Sequence, residues 1–190
     1  MRKWEQALGE EISLQAWKLI WSQASKSSIC TLYKENQYKI LFHWYQTPDL
    51  LHSIYPTADR RCWRCFDAVG TLYHTYWTCS LIVPYWQTVH SLIHSIFGSS
   101  VPFCPKLFLL GLPPPSFSKL SKKLLAQVLT AARCLVALKW KKKEPPSLFE
   151  LHSRIRDVKR MEYMTASLNN TLDTHNQVWE LWNALEAPIT

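Results

Sequence analysis

Glycine is scarce in this chain, at four of 190 residues. Together with eleven prolines, that scarcity argues against a sheet-rich fold full of tight turns, because such turns draw on glycine for left-handed backbone. Acids are missing altogether from residues 116–143, which hold Lys119, Lys122, Lys123, Arg133, Lys139, Lys141, Lys142 and Lys143 and no Asp or Glu. Those eight charges equal the formal net charge of the whole chain, +8. A balance of that kind favours a polyanionic partner. Catalytic signatures are also missing: there is no glycine-rich phosphate loop, no G-x-S-x-G elbow, no H-E-x-x-H and no paired-aspartate motif. A two-metal nucleic-acid enzyme needs clustered carboxylates, and the acids before residue 60 are scattered, so no enzyme is expected. Long apolar runs are lacking as well. The best two, residues 81–97 and 124–138, are interrupted by Pro84, Gln87, His90 and His94 and by Gln127 and Arg133; both are too short and too polar to span a bilayer. The first residues are too polar for a signal peptide, and six cysteines are too few for a disulfide scaffold. The expectation is an intracellular, cytoplasmic or nuclear protein whose thiols are reduced.

What is abundant is tryptophan, ten residues, within a chain that is 47% hydrophobic. Apolar residues recur at helical spacing in most of the chain, which predicts a mostly α fold. Helices are expected over residues 1–28, with a break at 25–28, over a short segment opened by Thr47-Pro48-Asp49, over 80–97, over 116–141, and in two segments after Pro145-Pro146. The first of those two opens on a capping-box pattern, Ser147-Leu148-Phe149-Glu150. Residues 102–115 read as a loop.

Residues 57–79 have little apolar content outside their aromatics and carry Cys62, Cys65, His74 and Cys79 in the pattern C-x2-C-x8-H-x4-C. Three thiols and an imidazole complete a tetrahedral set for one structural Zn²⁺, with no position left for substrate. A CxxC redox pair or buried free thiols are the alternatives; a redox pair usually sits at a helix N-terminus in a βαβ context, and none is visible. The chain then divides into an N-terminal helical segment (1–56), a zinc knuckle (57–79), helices including a basic one (80–143) and C-terminal helices (144–190).

Trp63, Tyr73, Tyr76 and Trp77 lie within the knuckle, where aromatics either stack on unpaired bases or pack against surrounding helices. Arg60, Arg61 and Arg64 flank the same site. On a helical projection of residues 116–141, Phe117, Leu120, Leu124, Val128, Ala131, Leu135 and Leu138 share one face; Lys119, Lys122, Lys123, Arg133 and Lys141 fall on the opposite side. Such a stripe tracks a phosphate backbone or is a solvated helix face. Cys30, Cys104 and Cys134 have no ligand spacing and read as buried hydrophobes.

Several segments taken together resemble a known family. Residues 39–48 (KILFHWYQTP), Arg61-Cys62-Trp63-Arg64-Cys65, Gly70-Thr71-Leu72-Tyr73-His74, and Tyr76-Trp77-Thr78-Cys79 are similar to the C-terminal region of the reverse transcriptase polyprotein of LINE-type (non-LTR) retrotransposons. Pro84-x-Trp86, residues 108–111 (FLLG) and Met161-Glu162-Tyr163 continue the likeness in order. The resemblance implies a non-catalytic, zinc-stabilised tail that binds RNA or DNA, single-stranded or structured, in a truncated remnant lacking both catalytic domains. It also implies a possible partner in a reverse transcriptase core; docking on such a core is the alternative role. Some relatives of that kind have three residues between the first two cysteines, so the loop here differs locally.

Overall fold

The computed structural model describes residues 2–26, 28, 30–98 and 101–186. It is mostly helical, as the periodicity predicts. The N-terminal stretch read as one helical region is two helices, α1 (Arg2–Leu8) and α2 (Leu14–Lys26), because Gly9 takes a left-handed conformation at φ 69 and stops the first. Ser27, inside the expected break, lies outside the described residues. Helix α3 (Thr31–Leu41) receives the indole of α1, as Trp4 Nε1–H donates to Leu41 O at 3.1 Å. Helix α4 (Pro48–Ile54) starts as its sequence predicts: Thr47 Oγ1 accepts from Leu50 N–H, and Pro48 fills the first helical position, where no N–H is needed.

Helix α5 (Val83–Phe97) ends on left-handed Gly98. The stretch read as a loop at 102–115 contains one helical turn, α6 (Pro105–Phe108). Helix α7 (Lys119–Leu138) follows, then α8 (Leu148–Leu168) and α9 (Leu172–Glu186). Both halves of the capping box that opens α8 are formed: Ser147 Oγ accepts from Glu150 N–H, and the Glu150 carboxylate accepts from Ser147 N–H.

Helix α7 is the axis of the molecule. It packs against α3, α5, α8 and α9, and residues 124, 125 and 127–136 are all buried. One hydrophobic core runs from Trp4 to Trp182 and takes residues from all four sequence segments. Each fully buried Leu, Ile or Val contributes about 1.5–3 kcal/mol. Encirclement on this scale corrects the expected basic stripe. The middle of α7 has no solvent face, so its lysines are confined to its ends: Lys119, Lys122 and Lys123 in the first turns, Lys139 and Lys141 past the last. Twenty residues at 1.5 Å rise place those ends about 30 Å apart. Arg133 is a core residue. Its guanidinium donates to Phe108 O at 3.0 Å and Thr130 Oγ1 at 3.1 Å, tying α6 to α7. Burial pulls its pKa down to about 10, which leaves it charged at neutral pH. No helix among the described residues is long and apolar enough to cross a membrane.

Candidate metal centre

The segment between α4 and α5 forms a small hairpin followed by one wide turn. Cys62 N–H donates to Ala68 O, Gly70 N–H donates to Arg60 O, and Arg61 bridges Val69 in antiparallel fashion. The tip, residues 63–67, closes with Phe66 N–H on Cys62 O at 2.9 Å, and Phe66 takes a left-handed φ of 58. Gly70 seats the hairpin on α4. A Cβ there would lie 2.6 Å from Pro48 Cγ and 3.0 Å from Cys62 Cα, so no larger residue fits without moving backbone.

The other two ligands share a π-helical turn, His74–Thr78. Cys79 N–H donates to His74 O at 2.9 Å, an i to i+5 bond. This explains the H-x4-C spacing: both ligands stand at the two ends of a single wide turn and reach the same side. Turns of this type often sit at functional sites.

The ligand atoms of Cys62, Cys65, His74 and Cys79 all lie within 4.8 Å of one another, and Cys65 Sγ is 3.3 Å from His74 Nε2. Around a tetrahedral ion with bonds of about 2.3 Å to sulfur and about 2.0–2.1 Å to nitrogen, such atoms stand roughly 3.5–3.8 Å apart. The set therefore fits a metal ion with at most about 1 Å of contraction. Nδ1 lies 3.3 Å from Thr78 Oγ1, which accepts the Nδ1 proton when Nε2 binds an ion, and the backbone N–H of His74 donates to Thr71 Oγ1 at 3.0 Å. The Thr78 contact holds the ring in the orientation that coordination through Nε2 needs. Arg64 N–H donates to Cys62 Sγ at 3.4 Å. Burial pushes the Cys65 thiol up, but the backbone N–H groups of Ala68 and Asp67, with His74 and Cys62, outweigh it and lower the thiol to about 6. Cys79 goes the other way, to about 11, chiefly by burial and then by its neighbouring thiols. The arrangement thus favours the thiolate at Cys65 and disfavours it at Cys79.

The residues expected to contact nucleic acid are sorted by burial. Arg64 is fully buried; its guanidinium donates to the carbonyls of Lys142 (2.9 Å), Lys139 (3.1 Å) and Glu144 (3.3 Å). It is a structural clamp, and the expected phosphate contact is corrected for that reason. Trp77 is also removed from the surface: it packs in the core against Trp86, Phe103 and Phe108 at centroid distances of 4.9–5.9 Å. Arg60 and Arg61 are exposed and paired with Asp49 (2.6 Å) and Asp59 (2.8 Å). Lys119 and Lys123 are exposed, and Lys122 Nζ donates to Pro115 O at 3.2 Å.

Trp63 stays half-buried and is brought to a residue that sequence reasoning passed over. Its ring meets Trp140 edge-on at 5.2 Å, and Lys141 Nζ lies 5.1 Å and 5.3 Å from the two ring centroids. Lys141, Lys142 and Lys143 are exposed and have no carboxylate partner among the described residues. The only trace of this in the sequence is the run Trp140-Lys141-Lys142-Lys143 directly after the helix; nothing in it names the metal segment as its neighbour. A scan of family models finds none that matches this chain.

Proposed function

We propose that this protein is a non-catalytic nucleic-acid-binding module whose binding surface is ordered by a structural Zn²⁺. The donor set, three thiols and one imidazole with no open position, is the chemistry of structural zinc, and a bound ion would supply ordering energy on the order of 10 kcal/mol to a segment with little core of its own. The observation that carries the reading is the juxtaposition of two half-buried tryptophans with an unpaired lysine run on the metal segment's flank. Lysines there meet phosphates, and the Trp63 and Trp140 rings, over which Lys141 now sits, become faces for unpaired bases when that lysine turns to a phosphate, at about 1–3 kcal/mol per stacked base. Arg60 and Arg61 are held by Asp49 and Asp59 and add little net charge to that surface. The resemblance to the tail of a LINE-type reverse transcriptase points the same way, and in that setting the module would hold RNA or DNA for a polymerase core.

Two measurements test it. Purified protein should contain one zinc per chain; a substoichiometric content with no loosening of residues 57–79 on chelation would reject the structural ion. Affinity for a single-stranded RNA should fall steeply with salt, because phosphate contacts release counterions; a flat response would reject the phosphate contacts.

A further inference from the structure

Arg64 belongs to the metal loop by sequence and to the lysine turn by contact. It stands between Cys62 and Cys65, and its side chain crosses to residues 75–80 positions later in the chain. Three carbonyls of the 139–144 turn converge on one guanidinium, using its planar array of donors in a way no other side chain reproduces. The other end of Arg64 is tied to the candidate ion's ligands: its backbone N–H donates to Cys62 Sγ at 3.4 Å, and Cys65 is the next residue. Loss of the ion frees that backbone, and the guanidinium then loses the fixed position from which it reaches the three carbonyls.

We propose that Arg64 is a positioning residue that makes the lysine turn, residues 139–144, conditional on the metal, so that metal occupancy switches the affinity of the chain for single-stranded nucleic acid. The switch rests on the functional reading above; the mechanical coupling does not. The coupling is reciprocal: whatever factor the ion adds to nucleic-acid affinity, nucleic acid adds to ion affinity.

Limited trypsin digestion of the full chain reads the turn directly, because Lys139, Lys141, Lys142 and Lys143 are cleavage sites and buried Arg133 in the same helix region is an internal control for the core. Removing the metal with a chelator should speed cleavage after Lys142 at least tenfold while cleavage after Arg133 stays slow. Arg64→Lys keeps the charge and all four ligands but loses the fork. It should retain one metal per chain, show cleavage after Lys142 several-fold faster than wild type, and bind a labelled 20-nucleotide oligo(U) at least fivefold more weakly. Cleavage rates unchanged by both treatments would overturn the coupling. Should the variant fail to fold, the chelated and loaded wild type decide it alone. Should chelation expose Arg133 as well, the variant decides it. If loaded wild type does not bind oligo(U), the functional reading and its switch fail together, while the trypsin rates still decide whether Arg64 holds the turn.

Discussion

At Gly70 the metal hairpin meets α4 with no room for a methyl group: the nearest atoms to a built Cβ are two carbons of Pro48 and the backbone of Cys62. Gly70→Ala is expected to cost about 1–3 kcal/mol, the usual penalty of overpacking, seen in urea denaturation of the metal-loaded protein; a cost below 0.5 kcal/mol, taken as roughly the size of a neutral surface change, would mean the hairpin can slide off α4. His43 makes a different argument. It sits in left-handed backbone at φ 55, its ring edge-on to Trp4 at 4.8 Å, with Nε2 buried and unpartnered. Burial, helped by the charge of Lys3, lowers its pKa from 6.5 to about 4. A histidine whose folded pKa lies below its unfolded value favours the neutral form on folding. Its contribution is therefore full above about 6.5 and is lost as pH falls from there toward about 4. The loss is at most about 3.5 kcal/mol, from about 1.4 kcal/mol per pKa unit, and less in practice because the ring is only partly buried. His43→Asn keeps a side chain that tolerates the left-handed region and removes the titration, so its melting temperature should change less than that of wild type between pH 7 and 4.5. Neither residue was singled out from sequence, because a steric limit set by Pro48 and a ring desolvated by Trp4 are properties of tertiary neighbours.

Among the elements, those with local rules were readable and those defined by their surroundings were not. The Thr47 cap of α4, the capping box of α8 and the H-x4-C turn each depend on residues within five positions of one another, so a single sequence carries the whole signal. Helix α7 does not work that way. A helical projection finds an apolar face and a polar one on an isolated cylinder, but it cannot count how many neighbours surround the cylinder. Four helices do, and that is why Arg133, read as a surface cation, is a buried link to Phe108. The same consideration ranks two changes at the α7–α8 junction. Glu150 serves the α8 cap and also pairs with Lys139 Nζ at 2.7 Å; that lysine and then the Ser147 N–H hold its carboxyl at about 2. Ser147→Ala removes the cap acceptor and should cost about 0.5–2 kcal/mol. Glu150→Gln keeps a cap partner and loses only a partly exposed ion pair, worth up to about 1 kcal/mol. Denaturation midpoints should fall further for Ser147→Ala; the reverse order would mean that the ion pair, rather than the cap, holds the junction.

For the whole molecule, the metal segment and the helical core are ordered by different means. The core closes on buried apolar residues from α1 to α9 and includes Leu72, Tyr76 and Trp77 of the metal segment, whereas the hairpin of residues 60–70 depends on the ligands and on Gly70 against Pro48. Chelation should therefore loosen that hairpin while most of the helical circular dichroism remains; loss of the helical signal in step with the metal would show that the core needs the ion. The ligands were legible as a spacing, but the basic surface was not, since its two parts, Trp63 and the Trp140 turn, are separated by more than seventy residues of chain. That separation changes what the charge pattern predicts. A single stripe along α7 would give one continuous footprint on a polyanion. Two lysine groups about 30 Å apart, with the aromatic pair beside only one of them, give two separable contributions. Each phosphate contact on a single strand contributes about 0.7 to the slope of log affinity against log salt. Replacing Lys141, Lys142 and Lys143 by Gln should lower that slope by about 2 and weaken binding to a short oligonucleotide that covers only the knuckle flank. Replacing Lys119, Lys122 and Lys123 should leave the short oligonucleotide unaffected and act only on strands long enough to reach both ends of α7. Equal effects of the two triple variants at every length would mean that the lysines act as diffuse net charge, and the aromatic pair at Trp63 and Trp140 would then have no privileged place in binding.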